Sequence, residues 1–279
     1  MTSWQSSLRV GRSLGSLSEV NLSPSEFFLS EFQVRYGPRA LLYRFLHQAQ
    51  EAVLQRGVVL EFGSFERLVE TNQRNSATWR SMVPLLDPRR GPLGSSCFCI
   101  LGTNGQGEVV ATQAARLFDF GKNNLKAEGE SGRLLYPTSQ LPKGLGIPKS
   151  DNLELAFSGA AADRISGRAV YSGAVWYHPD YRGRMLSAIM PRISRALAYG
   201  RWNTHYTFSF AETAIAAKGL LARYGYSHFE DGVVLRRDGK VDFEGGLVWM
   251  SREEMLSDLG WFMSNFGSQV DVVPQRRRA

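Results

Sequence analysis

Val175-Trp176-Tyr177-His178-Pro179-Asp180-Tyr181-Arg182-Gly183-Arg184-Met185-Leu186 carries three signals in twelve residues. An apolar and aromatic run reads as a strand that ends at His178-Pro179. Asp180 to Gly183 reads as a turn, and the residues from Arg184 onward open an amphipathic helix. A strand that turns directly into a helix leaves the first amide N–H groups of that helix unpaired and aims its positive end at the turn. With Arg182 and Arg184 beside it, such a turn is built to receive an anion, phosphate above all.

Downstream, Leu186, Ile189, Met190, Ile193 and Leu197 recur at helical spacing, with Pro191 inside the pattern and Gly200 as its expected end. Thr204 to Phe210 reads as a strand and Glu212 to Tyr224 as a helix stopped by Gly225. His228 to Arg236 and Val241 to Trp249 form a hairpin about Asp238-Gly239. Ser251 and Glu254 make a capping box for a last helix that reaches about Phe266. Upstream, the strand entering the turn starts at Arg168, and Leu153 to Phe157 is a further short strand. Residues 121 to about 152, rich in Gly, Lys, Ser and Pro, read as a surface excursion. Cys97 to Leu101 and Glu108 to Phe120 make an earlier hairpin. Helices are expected over 39–56 and from Ser64 to about Met82, and a first strand over Glu31 to Tyr36.

Composition narrows the class. The chain has 279 residues, 43% of them hydrophobic and 21% charged, as in an ordinary globular protein. No apolar stretch is long enough for a transmembrane helix, and the N-terminus has no apolar secretory core. The formal net charge is +7, but Arg276, Arg277 and Arg278 supply three of those charges from the last residues. The remaining charge suits an anionic small ligand and does not argue for nucleic acid. Cys97 and Cys99 lie two apart in a strand, on one face, which suits neither a disulfide framework nor a metal set; buried free thiols are expected.

The turn resembles the acyl-CoA pyrophosphate loop of the GNAT (Gcn5-related N-acetyltransferase) superfamily, Gln/Arg-x-x-Gly-x-Gly/Ala after a strand ending in x-His-Pro-x-Tyr. Arg182 takes the leading position, Met185 stands for the middle Gly and Ser187 for the last. Ala217 to Tyr226 is similar to the last helix of that family, which runs through a Gly into the next strand. The order of elements over roughly residues 31 to 250 agrees as well. The resemblance implies an α/β (α+β) fold: a mixed, mostly antiparallel central sheet flanked by helices. To it are added an N-terminal arm (1–30), an insertion at about 121–165, an extra C-terminal helix and a basic tail (267–279), around a single domain over 31–266.

The resemblance further implies acetyl-CoA or another acyl-CoA as co-substrate and an amine as acceptor, without a metal. Trp176, Tyr177, Arg182, Gly183, Arg184, Met185, Leu186 and Ser187 would hold the acyl-CoA, the loop mainly through its backbone. One of Trp176 and Tyr177 is expected toward the core and the other toward the cleft. Arg192 and Arg195 could reach phosphate or simply form a solvated helix face. The tyrosine that many members use as general acid is replaced by Leu221, and the strand 168–178 has no carboxylate to serve as base. His178, Tyr171 and Tyr224 are therefore the catalytic candidates, with His205 and Glu212 behind them. The expected activity is acyl transfer, most simply of acetyl, in a ternary complex in the cytoplasm; a homodimer is left open. The alternative is a non-catalytic binding or regulatory protein on the same fold. A basic polyanion-binding protein is a third, weaker reading.

Overall fold

The computed structural model describes residues 28–90, 93–135 and 152–269. The expected arm up to residue 27, most of the excursion after residue 135 and the basic tail from residue 270 lie outside the described residues. Helix α1 (Arg39–Leu54) opens the regular structure and buries Leu42, Phe45, Leu46, Ala49 and Val53 along one stripe. Each large apolar side chain so buried stabilises the fold by about 1.5–3 kcal/mol. Strand β1 (Val59–Gly63) follows, then α2 (Phe65–Arg74), β2 (Cys97–Thr103), β3 (Val109–Asn124) and the short α3 (Leu125–Glu130). After these come β4 (Leu153–Phe157), α4 (Ala161–Arg164), β5 (Ser166–Tyr177) and α5 (Leu186–Trp202). Strand β6 (Tyr206–Ala211), α6 (Thr213–Ala217), α7 (Leu220–Tyr224), β7 (His228–Arg237), β8 (Lys240–Ser251) and α8 (Arg252–Gln269) complete it.

The eight strands form one sheet in the order β1-β2-β3-β5-β6-β8-β7-β4. Every adjacent pair is antiparallel except β5 and β6, which are parallel. This is the mixed, mostly antiparallel sheet flanked by helices that the resemblance implies. One face packs on α1, α5 and α8 through Ile100, Ala111, Val170 and Met250. The other packs on the segments around Leu68, Trp79, Leu86 and Leu125. Helix α5 is central: every residue in it except Ser187 and Arg201 is buried.

Several sequence expectations are corrected here. Residues 31–36 do not form the first strand. Phe32 and Val34 pack into the core, and the Arg35 and Tyr36 amides both donate to the Gly200 carbonyl, so the segment is held by a helix and not by a strand. The first strand is Val59–Gly63, which pairs with β2 from Gly63 opposite Cys99 to Val59 opposite Thr103. The order therefore begins helix, strand, helix, where the resemblance implies strand, helix, helix. The helix capped by Ser64, whose hydroxyl accepts from the Arg67 amide, ends at Arg74 and not near Met82. Asn72 Nδ2 donates to the Arg80 carbonyl, turning the chain so that Trp79 stacks on Trp176.

The excursion at 121–152 begins as ordered structure, because β3 continues to Asn124 and Asn124 caps α3. Helix α5 passes through Gly200 and ends at Asn203, which takes the left-handed conformation. Gly200 is glycine for another reason: a Cβ there would lie 3.1 Å from the Phe32 ring. The stretch Glu212 to Tyr224 is two short helices parted at Gly219, whose φ is +67°. The capping box forms as expected, the Glu254 carboxylate accepting from the Ser251 amide at 2.7 Å and the Ser251 hydroxyl from the Glu254 amide at 3.2 Å.

Cys97 and Cys99 are free and buried. Burial pushes their thiols up to about 11 and about 12. At pH 8 a thiol at about 11 is ionised in about one molecule in a thousand, and the thiolate is the reactive form. Native protein is therefore expected to resist iodoacetamide at pH 8, and denatured protein to take up two equivalents. Rapid labelling of the native protein, detected by mass spectrometry, would contradict this burial.

Candidate functional site

The site begins as a fault in β5. Ala114 pairs with Gly173 and Thr112 with Trp176, so Ala174 and Val175 together oppose Gln113 alone. This is a β-bulge, which bends the strand and re-aims the residues beyond it. Ala174 carries it at φ +52°, a left-handed conformation that costs an L-residue about 1–2 kcal/mol. Side chains of β3 hold the fault in place. Thr112 Oγ1 donates to the Ala174 carbonyl at 2.7 Å, and Gln113 Nε2 donates to the Ser172 hydroxyl at 3.0 Å and the Gly173 carbonyl at 3.3 Å.

The parallel ladder fails at the same level. It joins Ala169 to Tyr206, Val170 to Thr207 and Tyr171 to Phe208, and goes no further. Beyond it β6 stays paired with β8 through to Ala211, while β5 bends away. A cavity of about 510 Å³ occupies the splay, lined by β5 from Tyr171 to Val175, by β6 from Ser209 to Ala211 and by Glu212 just beyond it. Alternate residues of the strands face opposite sides of the sheet, so the cavity has two sides. On the face away from α5 its walls include Trp79, Met82, Phe210 and Phe243. On the α5 face they include Pro191, Leu221, Tyr224 and Tyr226.

Polar groups gather at the waist. Burial pushes the phenol of Tyr171 up, against the pull of a hydrogen bond to Ser209. Tyr226 is pushed the same way by burial, against the Arg195 charge and hydrogen bonds to Ser172 and Ser209. Tyr224 is also raised by burial, with Arg223 pulling it down. All three therefore hold their protons through the neutral range. Gln113 Oε1 is buried with no partner among the described residues, which leaves an acceptor on the cavity wall.

The loop lies at the far end of β5. His178 accepts the Asp180 amide on its Nδ1 and caps the 3₁₀ turn Pro179–Tyr181. Gly183 and Met185 both take positive φ, +81° and +62°, and α5 starts at Leu186 with no side-chain cap. Among the described residues, the N–H groups of Gly183, Arg184, Met185, Leu186 and Ser187 have no acceptor. A Cβ placed on Gly183 would meet nothing within 4 Å, so the backbone there is open. The Met185 side chain turns away to α7, its Sδ receiving Arg223 Nη2 at 3.0 Å. Arg184 stacks on Tyr181 with its guanidinium 4.1 Å from the ring centroid. Arg184 and Arg56 each donate to the other's carbonyl, at 3.1 and 2.7 Å, and Arg182 Nε donates to the Tyr177 carbonyl at 3.3 Å.

The residues singled out from the sequence thus fall into three places. Tyr171, Tyr224 and Glu212 line the cavity; Arg182 to Ser187 form the open loop; His178 caps that loop and does not line the cavity. His205 is elsewhere, its Nδ1 accepting the Arg168 amide. The expectation for Trp176 and Tyr177 is corrected: both side chains enter the core, on opposite faces, and neither lines the cavity. Arg192 and Arg195 are neither phosphate ligands nor a solvated face. They are 3% and 0% exposed and converge on Asp258. Gln113, Ser172, Ser209 and Tyr226 do not stand out in the sequence. For Gln113, Ser172 and Ser209 the one signal is a small or polar residue inside a strand that is otherwise apolar; Tyr226 follows the last turn of α7 and has none.

Among the described residues no group of three or more His, Cys, Asp or Glu gathers to hold a metal. No helix among them is long and apolar enough to cross a membrane.

No protein-family model and no curated protein sequence matches the chain. Among solved structures it is similar to a mutant form of the spermidine/spermine N-acetyltransferase SpeG from Vibrio cholerae, at TM-score 0.41 and 7% identity. That match covers 72% of this chain and 97% of the other. It is also similar to Mycobacterium smegmatis RimJ in complex with CoA-disulfide, at TM-score 0.38 and 11% identity over 73% and 88% of the two chains. An acetyltransferase of the GNAT family from Staphylococcus aureus is a third, at TM-score 0.36 and 11% identity over 70% and 98%.

Proposed function

We propose that this protein transfers an acyl group, acetyl in the simplest case, from an acyl-CoA thioester to an amine. One observation carries the reading: a bulged, splayed strand leads from a cavity straight to an unpaired helix N-terminus. Extended amides and a terminal pyrophosphate need those two features at the two ends of one strand. The residues fit. N–H groups from Gly183 to Ser187 would hold pyrophosphate oxygens, helped by the positive end of α5, with Arg182 and Arg184 adjoining them. The edge of β5 beyond Tyr171 would take the extended arm, with Gln113 Oε1 as a further acceptor for its amides.

When bound, acyl-CoA supplies the activated carbonyl. The chain's own residues supply position: an amine held in the splay against that carbonyl gains most of its rate from proximity and orientation. Tyr224, protonated and on the cavity wall, would give its proton to the departing thiolate. His178 serves by holding the loop through its bond to the Asp180 amide.

Calorimetric titration of the full chain with CoA and acetyl-CoA tests the reading. Saturable binding is expected, and absence of heat or thermal stabilisation at millimolar CoA would sink it. With acetyl-CoA and an accepted amine, Tyr224→Phe is expected to lower kcat by about 10²-fold or more while leaving CoA affinity unchanged. Binding without turnover on any amine would favour the non-catalytic alternative, for which Leu221 in the acid position is the observation.

A further inference from the structure

We infer that the cavity takes an amine carried on an aromatic or bulky apolar body, in preference to a polyamine or an amino sugar. The inference rests on the acyl-transfer reading for what the amine does, but not for whether it binds. The wall on the face away from α5 is a chain of rings. Tyr171 lies 5.4 Å from Phe210, and Phe210 lies 6.3 Å from Phe243, centroid to centroid. Trp79, on the same face, stands fixed, stacked on Trp176 at 5.5 Å and 12°. Trp176 Nε1 donates to Thr78 Oγ1, which pins the segment next to Trp79. This chamber is preformed and apolar, and at about 510 Å³ the whole cavity exceeds what an acetyl group and a bare amine fill.

Its charges point the same way. Two carboxylates line the cavity, Glu212 and Asp242, and a polycation would need them free. Each already faces an arginine: Glu212 is 2.9 Å from Arg80 and Asp242 is 3.0 Å from Arg237. Both pairs are partly exposed, so a second or third ammonium group would have to share each carboxylate with its arginine, Arg80 itself being on the wall, or lose its hydration against rings. A single amine on an apolar body needs one polar contact at the waist and buries the remainder.

Titration of the full chain with phenethylamine, cyclohexylmethylamine and spermidine, each alone and measured by calorimetry, tests binding. Acetylation of the same amines tests their use. Saturable binding of the first two, with kcat/KM at least tenfold above that for spermidine, is expected. Phe243→Ala should weaken phenethylamine binding about tenfold or more, while CoA affinity stays unchanged. Trp79→Ala, a second variant in the same chamber, should do the same. Preference for spermidine, or phenethylamine binding indifferent to both variants, overturns the inference. So does turnover that rises with acyl-chain length while the apolar amines fail to bind, since the chamber would then hold the acyl chain. If CoA does not bind yet phenethylamine does, the transfer reading fails and the chamber assignment stands.

Discussion

Asp258→Ala is expected to destabilise the protein by about 3–5 kcal/mol, the range for removing one partner from a buried ion pair. Two guanidinium groups share this one carboxylate. Arg192 grips it with Nε at 2.8 Å and Nη2 at 2.7 Å, and Arg195 Nη2 lies 3.5 Å away. Burial pulls the Arg195 pKa below its ordinary value, and its Nε and Nη1 have no partner among the described residues. The cluster is short of negative charge before any substitution. Without Asp258 two buried cations would face each other, and the midpoint of thermal unfolding should fall on the order of 10 °C. Arg195→Met restores one cation to one anion and should lose less than half as much. Urea denaturation of both variants decides it. A loss under about 1 kcal/mol for Asp258→Ala, or a larger one for Arg195→Met, would refute the charge argument.

The same cluster ties stability to the cavity. Arg192 Nη1 donates to the Arg223 carbonyl at 2.9 Å and Arg195 Nη2 to the Tyr224 carbonyl at 2.7 Å. The guanidiniums of α5 therefore hold the last turn of α7, and with it Tyr224 on the cavity wall. Gly225 makes the convergence possible. A Cβ there would lie 2.6 Å from Asp258 Oδ2 and 2.7 Å from both arginines, and its φ is +79°.

The legible part of the sequence was local. The strand, turn and helix at 175–186, the two hairpins and the Ser251–Glu254 box each have their cause within a few residues, in periodicity or capping. The first strand was not legible. Val59–Gly63 lies between a helix stop at Gly57 and a cap at Ser64, too short for a period to show, while Phe32 and Val34 alternate like a strand and are held by a helix end. Arg192 and Arg195 look like a solvated helix face unless it is known that α5 is covered all round by α1, α7, α8 and the sheet. The cavity was hidden for a similar reason. Trp79, Gln113, Tyr171, Ser209, Tyr226 and Phe243 come from distant segments, and only the pairing order brings them together. Glu212, a minor candidate by sequence, lies on the wall. His178, a leading one, is occupied with the loop.

Met185→Pro is expected to weaken CoA binding by about 10²-fold or more, and its comparison with two other variants tells backbone from side chain. Met185 stands at φ +62°, and proline is confined near −65° and has no N–H. The substitution therefore deletes one donor and re-aims its neighbours at Leu186 and Ser187. Hydrogen bonds to charged groups contribute about 1.5–3 kcal/mol each, so two lost bonds amount to roughly 3–6 kcal/mol, or 10²–10⁴ in affinity. Met185→Gly keeps the N–H and adopts positive φ without strain; affinity should stay within about threefold. Arg182→Ala with Arg184→Ala should fall between the two. Both guanidiniums already spend donors on carbonyls and Arg184 lies on Tyr181, so their share is mostly exposed charge, screened by salt. Circular dichroism must show that Met185→Pro is folded before its affinity is read. A folded Met185→Pro that binds CoA as tightly as the parent would remove the backbone cradle from the mechanism. A double alanine variant weaker than Met185→Pro would transfer phosphate recognition to the arginines.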